Sequence, residues 1–300
     1  MVAIVLDLEW NGAYSKKTHG YFNEIIEIGA VKLDAHMQPI DSFQAVIRPS
    51  VSSKLSSIVT DLTSITEEEL AEGGVPFTKA IKQLRQWIGP EEAALLTWSN
   101  TDLLVLMEDF RYFYGSERIP FMAYYSDIQP FCQRQLGEDT AQQMGLSKAC
   151  ELAGITVEDA DLHRAPDDSL LTARLFAQLY DEETFRPYLY VADEEFYRRV
   201  TFKPVIISDI ESPLVKRSEL RFACEACGRN LRRTGEWRFR NRAFCADFVC
   251  AACQKTYSGR VQFKLKYEGM QVRRRLMETK AKDEAAGAET ATKAAESLGI

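Results

Sequence analysis

The chain opens with a short run of apolar residues that ends in two carboxylates. Residues 2–6 are apolar and rich in β-branched side chains, and Asp7 and Glu9 follow with Leu8 between them. Such a run predicts a buried central strand. Because strand side chains alternate between faces, Asp7 and Glu9 project to the same side. Two adjacent carboxylates repel each other unless a cation or a shared proton lies between them. The end of this strand is therefore a candidate site for a divalent metal.

Apolar patterns further along predict the rest of an α/β domain. Two more strands, at 24–33 and 42–48, are joined by a short turn-rich link that suits antiparallel neighbours. Thr66 with its following glutamates resembles a capping box. The remaining segments are predicted strands at 93–98 and 121–125 and predicted helices at 77–88, 102–114, 128–135, 145–153 and 168–180. This order predicts a mixed β-sheet flanked by helices, as in ribonuclease H-like folds.

The same patterns divide the chain into regions. Residues 1–182 form the predicted large domain, and the proline-containing stretch 183–219 is a predicted connector. A second, small domain is expected at 220–268. The stretch 277–300 is rich in Ala, Glu, Lys and Thr and has few large apolar side chains, which predicts disorder or a marginal solvated helix.

Charge is distributed unevenly along the chain. Residues 1–200 have 17 Lys+Arg against 32 Asp+Glu, residues 201–275 have 17 against 7, and residues 276–300 have 3 against 5, which together give the net charge of -7. An acidic body with a basic module indicates an anionic partner for the module, and nucleic acid is the commonest such partner.

Cysteine usage and the absence of targeting patterns bear on location. Five of the seven cysteines lie between Cys224 and Cys253, which suggests a local metal site rather than the disulfide framework of a secreted protein. The apolar start has neither a basic flank nor a cleavage-like site. No apolar run approaches the roughly 20 residues that span a bilayer. A cytoplasmic, reducing location with no membrane partner is expected.

Three residues from later segments are candidates for the same site as the first two carboxylates. Asp102 follows a predicted strand, and ligands gather at strand ends in α/β sheets. Pro166 suits the first turn of a helix, so that His163 lies in the preceding loop and Asp168 in the first turn. Each also has a simpler explanation, because helix dipoles favour carboxylates at N-termini and a lone loop histidine is usually an ordinary surface residue.

The ordered set resembles a known family. Asp7-x-Glu9, Asp102 and His163-x4-Asp168 resemble the DEDDh branch of the DnaQ-like 3′–5′ exonucleases. The stretches 24–31, 62–66, 145–154 and 163–168 are similar to the ERI-1-like exonucleases that trim RNA 3′ ends. The resemblance covers about residues 1–182. It implies a metal-dependent 3′–5′ exonuclease that releases nucleoside monophosphates from single-stranded 3′ ends, with RNA favoured over DNA.

The resemblance also implies roles for the five residues. Phosphodiester hydrolysis needs an activated water and relief of charge on the phosphoryl oxygens, and two Mg²⁺ or Mn²⁺ held by oxygen ligands provide both. Asp7, Glu9 and Asp168 are assigned to the first ion. Asp7 bridges to the second, which Asp102 holds directly or through water. His163 is the expected general base.

Substrate contacts follow from the same resemblance. The terminal nucleotide is expected near Leu8 and Trp10, through backbone contacts and stacking, and near Leu62 and Ile65, which would pack on a base. For Leu62 and Ile65 an ordinary place in the core is an equally good interpretation.

Two CxxC pairs dominate the basic module. With 22 residues between the pairs, they fit a tetrahedral zinc ribbon with one structural Zn²⁺, whose ligands would be Cys224, Cys227, Cys250 and Cys253. A redox CxxC is the alternative, but two pairs so close together do not favour it. Cys245 is a fifth thiol that would serve as a ligand only if one pair is misread.

Alternating apolar and basic residues follow the first cysteine pair. Arg238, Arg240, Lys264 and Lys266 lie at every second position of two such runs, which predicts strands with a basic outer face. A solvated face is the simplest interpretation. Their clustering in one module favours instead a contact with the phosphate backbone of a nucleic acid, and a protein partner through the ribbon stays open.

Two rival functions remain. One is a non-catalytic nucleic-acid-binding protein that keeps the fold, against which the complete five-residue set argues. The other is a DNA proofreading or repair exonuclease that works with a polymerase and uses the ribbon as a partner contact. RNA and DNA are distinguished by contacts to the 2′-hydroxyl, which a sequence does not reveal.

Overall fold

The computed structural model describes residues 1–52, 54–156 and 163–279. The chain divides into two compact units, Met1–Val200 and Thr201–Ile300. Each unit has its own β-sheet and its own hydrophobic core. Among the residues described, no helix is both long enough and apolar enough to cross a bilayer.

A mixed sheet with helices packed against it forms the first unit. The strands are β1 (Val2–Ser15), β2 (Gly20–Leu33), β3 (Pro39–Val46), β4 (Ala93–Thr97), β5 (Met122–Asp127) and β6 (Tyr190–Val191). The helices are α1 (Ser57–Thr63), α2 (Glu67–Glu72), α3 (Phe77–Ile88), α4 (Thr101–Tyr114), α5 (Gln129–Gln135), α6 (Leu146–Leu152), α7 (Ala165–Leu179), α8 (Glu182–Phe185) and α9 (Glu194–Thr201). The strand order is β3-β2-β1-β4-β5-β6, with β1 antiparallel to β2 and parallel to β4. The predicted mixed α/β sheet is confirmed.

Strand β1 contributes to a core on each face of the sheet, because its side chains alternate. Leu6 packs in a cluster with residues of α3 and α4, whereas Val5 packs in a second cluster with residues of α5 and α7. Asp7 and Glu9 continue the face of Val5. The two carboxylates therefore lie on the side of the sheet that α7 covers.

The position of the acidic pair differs from the prediction. The first strand does not end at Glu9 but continues to Ser15, and its pairing with β2 shifts register between Glu9 and Trp10. The parallel neighbour β4 pairs only with residues Val2 to Val5. The carboxylates are therefore accessible beyond the end of β4, beside an irregularity of the kind that often lies next to active sites.

The first unit also extends past the predicted boundary at residue 182. Phe185 is buried in one core of this unit, and Phe196 and Tyr197 are buried in the other. These aromatic side chains attach residues 183–200 to the large unit, so that the division of the chain falls after Val200. Apolar burial, rather than proline content, decides the boundary.

Strands predominate in the second unit. They are β7 (Val205–Ile206), β8 (Arg232–Arg233), β9 (Arg238–Arg240), β10 (Ala243–Val249), β11 (Thr256–Lys266) and β12 (Gly269–Thr279). The order is β12-β11-β10-β8, with β7 paired to β11 and β9 paired to β10. Strand β12 lies beyond the predicted end of the ribbon at 268, and its last residues, 277–279, belong to the sheet rather than to a disordered tail. Residues 280–300 of the predicted tail lie outside the described residues.

Candidate active site

A glycine brings helix α7 into backbone contact with the sheet. Gly29 on β2 pairs with Asp7 on β1. A Cβ atom at Gly29 would lie 2.0 Å from the carbonyl oxygen of Ala165, far inside van der Waals contact. Only a residue without a side chain allows this approach. The first turn of α7, with Asp168, therefore lies directly over the strand that contains Asp7 and Glu9.

A buried ion pair fixes the start of the same helix. Glu27 is fully buried on β2, opposite Glu9 in register. Its carboxylate accepts hydrogen bonds from Arg164 Nε at 3.0 Å and Nη2 at 2.6 Å, and from the backbone N–H of Ala165 at 3.1 Å. A buried carboxylate without such partners would be costly. The pair thus determines where α7 begins.

Three carboxylates converge at this contact. One oxygen each from Asp7, Glu9 and Asp168 lies within 4.8 Å of the other two. Burial, reinforced by repulsion from Asp102 and Asp168, raises the pKa of Asp7 well above its ordinary value. Burial and the charge of Asp168 raise the pKa of Glu9 to about 8. The Arg164 guanidinium lowers the pKa of Glu9 but does not offset the rise.

Asp102 lies at the edge of this cluster and is oriented by β1. Its side chain, in the first turn of α4, is buried and accepts a hydrogen bond from the Leu8 backbone N–H at 3.1 Å. Burial raises the pKa of Asp102 to about 7, opposed by backbone hydrogen bonds and assisted by the charges of Asp127 and Asp168. Asp102 is not one of the three residues whose oxygens converge. It faces the peptide between Asp7 and Glu9.

His163 lies next to the N-cap residue of α7 and contacts the cluster through Asp168. It is exposed and has a positive φ of 74°. Burial raises the pKa of Asp168, and the imidazole charge and the backbone N–H of His163 oppose that rise. The loop position predicted for His163 is therefore the one observed, immediately before the helix that presents Asp168.

The donor set fits a hard divalent cation. All of the converging groups are carboxylate oxygens, the ligand type that Mg²⁺ and Mn²⁺ prefer. Asp168 Oδ1 is buried and has no hydrogen-bond partner among the described residues. A cation would satisfy this oxygen and offset both the burial of the carboxylates and their mutual repulsion. Asp7, Glu9 and Asp168 are thus suited to bind one, with Asp102 close by.

Comparison with known proteins agrees with this geometry. The exonuclease family model RNase_T matches residues 4–176, more than half of the chain. The chain belongs to this exonuclease family. The predicted enzyme class is therefore confirmed, and the family's fold implies divalent metals in catalysis.

Individual relatives of this exonuclease cover different parts of it. The probable 3′-5′ exonuclease KapD of Bacillus subtilis is 26% identical over 185 residues, which are 61% of this chain and 86% of that protein. ERI1 exoribonuclease 2 of Homo sapiens is 33% identical over 130 residues, covering 35% of this chain and 18% of that protein. The solved nuclease domain of 3′hExo, a DEDDh family member bound to rAMP, is similar with a TM-score of 0.50 at 22% identity, over 59% of this chain and 90% of that one.

The predicted substrate-contacting residues of this exonuclease have different environments. Leu62 on α1 is 52% exposed and Trp10 is partly buried against the first core. Ile65 is fully buried with Ile26, so its side chain cannot pack on a base, and the core interpretation is the right one for it. The Leu8 side chain is also in the core, and its backbone N–H is bonded to Asp102.

The second unit of the exonuclease contains a thiol cluster. One Sγ each of Cys224, Cys227, Cys250 and Cys253 lies within 4.8 Å of the others. The Tyr257 hydroxyl, 3.2 Å from Cys224 Sγ, lowers the pKa of that thiol to about 6, whereas hydrogen bonding to Cys227 raises the pKa of Cys253 to about 12. This arrangement is compatible with a zinc ribbon. Cys245 lies on β10, outside the cluster.

Three residues that shape the active site were not predicted from the sequence. Glu27 interrupts the otherwise apolar stretch 25–31, and a carboxylate there signals a buried partner. Arg164 is a cation next to a candidate catalytic histidine in an acidic region. Gly29 gave the weakest indication of its role in the sequence. A glycine within a strand indicates that another backbone segment approaches closely, but it does not show which segment.

Proposed function

We propose that this exonuclease degrades single-stranded nucleic acid from the 3′ end, that it releases nucleoside monophosphates, and that it favours RNA over DNA. The observation that supports hydrolysis is the convergence of the Asp7, Glu9 and Asp168 oxygens within 4.8 Å. The direction of degradation is supported by the name of KapD, and the preference for RNA by the similarity to ERI1 exoribonuclease 2.

The proposed chemistry gives each polar residue of the site a role. Asp7, Glu9 and Asp168 would hold one Mg²⁺ or Mn²⁺, and Asp7 with Asp102 a second. When bound, two such ions activate water and neutralise charge on the phosphoryl group. His163 accepts the proton of the attacking water at an imidazole nitrogen. Its side chain is exposed, which suits contact with water.

Residues behind the site hold these groups in position. The Leu8 N–H orients Asp102, and the pair of Glu27 and Arg164 determines where α7 presents Asp168. Trp10 and Leu62 are proposed to contact the terminal base, since Leu62 has an exposed side chain and Trp10 a partly exposed one. Base stacking of this kind tolerates any sequence. Leu8 supports the substrate site only indirectly, through Asp102.

In the second unit we propose one structural Zn²⁺, held by Cys224, Cys227, Cys250 and Cys253. Four thiol sulfurs within 4.8 Å of one another support this assignment. A bound Zn²⁺ would hold all four as thiolates. The hydroxyl of Tyr257 would then support the ligand Cys224 from the second coordination shell.

A time course on end-labelled strands tests the proposal. RNA and DNA 20-mers labelled at the 5′ or the 3′ end are incubated with Mg²⁺, Mn²⁺ or EDTA, alongside Asp7→Asn. Metal-dependent release of mononucleotides from the 3′ end, faster for RNA and absent in the variant, is expected. Wild-type-like cleavage by Asp7→Asn would contradict the assigned site. Strands that stay whole under every metal yet bind the protein would indicate a binding protein.

A further inference from the structure

The sheet of the second unit has two chemically different faces. Its inner face packs an apolar core that includes Phe244, Tyr257, Val261 and Phe263, all nearly inaccessible to solvent. In antiparallel strands, directly paired residues lie on the same face. The pairing of β10, β11 and β12 therefore identifies the outer face as the one opposite these core residues.

Basic residues from four strands dominate that outer face. The basic face comprises Arg232, Arg238, Arg240, Arg260, Lys264, Lys266, Arg273 and Arg275. The strand register gives the placement: Arg260 pairs with Arg275, and Cys245 on β10 pairs with both Arg238 and Arg260. Asp247 is the one acidic residue at the strand positions described on this face, and it contacts Arg238 at 3.1 Å.

Strand β12 contributes a part of this face that the sequence did not predict. Arg273 and Arg275 point outward, whereas Arg274 between them faces inward, lies over the Phe222 ring at 4.9 Å and pairs with Glu219 at 3.6 Å. No ion pair to Arg273 or Arg275 occurs among the described residues. Cations at every second residue of a strand are roughly 6.6 Å apart. Arg273 and Arg275 are thus exposed positive charges without an acidic partner among the described residues, whereas Lys264 and Lys266 on the neighbouring strand β11 are half-buried.

We propose that the basic face binds the phosphodiester backbone of a single-stranded nucleic acid. Protein interfaces are enriched in aromatic residues at their core, and the strand positions described on this face include no aromatic residue. Stacking on bases is excluded for the same reason. The face therefore contacts phosphates, independently of base sequence and without preference between RNA and DNA. The choice of nucleic acid among polyanions rests on the proposed function.

Fluorescence anisotropy with a labelled 20-mer of oligo-U tests this assignment. The protein is the full zinc-loaded chain with Asp7→Asn, so that the RNA is not cleaved during the measurement. Binding is measured between 50 and 300 mM salt, a range around the concentration at which the Debye length is about 10 Å. The double variant R273Q/R275Q should raise Kd about fivefold at 100 mM salt and should lower the slope of log K against log salt by about 1.4, or about 0.7 per lost phosphate contact.

A matched control separates the basic face from net charge. R229Q/R233Q removes the same number of positive charges, two, from exposed positions outside the basic face. The control should leave Kd within about twofold of the parent, because contacts rather than net charge determine the salt slope. The variant K264Q/K266Q gives a second test on β11 if R273Q/R275Q melts at a lower temperature. Equal losses in variant and control, or no salt dependence in the parent, would overturn the proposal.

Failure of this inference and failure of the proposed function are distinguishable. If the wild-type chain cleaves RNA but both face variants bind like the control, the basic face is not the binding surface and only this inference fails. If no strand is cleaved but the face variants lose affinity as expected, the basic face stands and the proposed function fails. A matching 20-mer of oligo-dT should show the same fold-change, since phosphate contacts do not distinguish the two sugars.

Discussion

The two ligand clusters of this exonuclease are assembled in opposite ways. The carboxylates come from β1 and α7, more than 150 residues apart, and they converge on a unit with two large cores. The thiols come from two short turns of one small sheet with a single core. The first cluster therefore depends on contacts between distant segments, whereas the second comes from two short segments of one sheet, which the proposed zinc ion would stabilise.

This difference predicts how each cluster responds to losing a ligand. Buried carboxylates that repel one another oppose folding in the absence of a cation, so removing one should spare stability. Four thiolates around the proposed zinc ion would add folding free energy to the small second unit. Activity should thus separate from stability at the first cluster and not at the second.

The largest effect should come from Asp7→Asn. Turnover of a 3′-end-labelled RNA should fall by at least about 1,000-fold, because the residue contacts both proposed metal positions. The melting temperature in EDTA should stay the same or rise, since one buried negative charge is gone. Calorimetry of both proteins in EDTA checks this. A drop in melting temperature would break the comparison.

Cys250→Ser should act mainly on stability. We expect loss of the bound zinc and destabilisation of the second unit by about 3 kcal/mol or more. Zinc analysis and hydrogen exchange of residues 201–279 measure both. The matched control is Cys245→Ser, which removes a half-buried thiol outside the cluster. Retention of zinc by Cys250→Ser, or its loss from the control, would show that the ligands are assigned wrongly.

Gly29→Ala tests whether the first cluster depends on backbone contact. The added Cβ forces α7 away from β2, and a displacement of about 1 Å in a catalytic group costs on the order of 100-fold in rate. We expect kcat to fall by about this factor while KM changes little. Gly12→Ala on β1 is the control, because its Cβ would meet only Asn23 Oδ1, at 3.6 Å. Equal kcat values for the two variants would contradict the argument.

The smallest effect concerns Asp109, a buried acid outside both clusters. It accepts the Ile25 N–H at 3.3 Å, and burial raises its pKa to about 9. The folded state keeps a proton that the unfolded chain releases near pH 4, so stability from this group is lost as pH rises from about 4 to 9. The difference in unfolding free energy between Asp109→Asn and the wild type should therefore grow by about 1 kcal/mol, in favour of the variant, as the pH is raised from 6 to 7. A constant difference in urea unfolding would show that Asp109 is ionised.

Local patterns predicted the elements of the sheet better than their extent. The apolar run at β1 is unmistakable, but its continuation to Ser15 depends on pairing with β2, which no short-range pattern encodes. Strand β12 was missed for a related reason. Its arginines at 273–275 mask the alternation of Val272, Arg274 and Leu276 toward the core.

The candidate site was predicted residue by residue from family resemblance, and spacing alone would not have sufficed. Each of Asp102, His163 and Asp168 has an ordinary explanation at a helix start. What the sequence could not supply is the support behind them. The contact of Gly29 with Ala165 and the pairing of Glu27 with Arg164 join segments more than 130 residues apart. Such contacts exist only in three dimensions.

Because side chains alternate along β12, the charge of the outer sheet surface depends on which positions of the strand the arginines occupy, and not only on how many arginines it has. Inserting one residue in the turn between Lys266 and Gly269 would rotate every following side chain to the opposite side. Val272 and Leu276 would then meet water, and Arg273 and Arg275 would meet the phenylalanines of the core. A chain with one extra glycine in this turn would keep every arginine, but it would lose both the β11–β12 hairpin and the basic face.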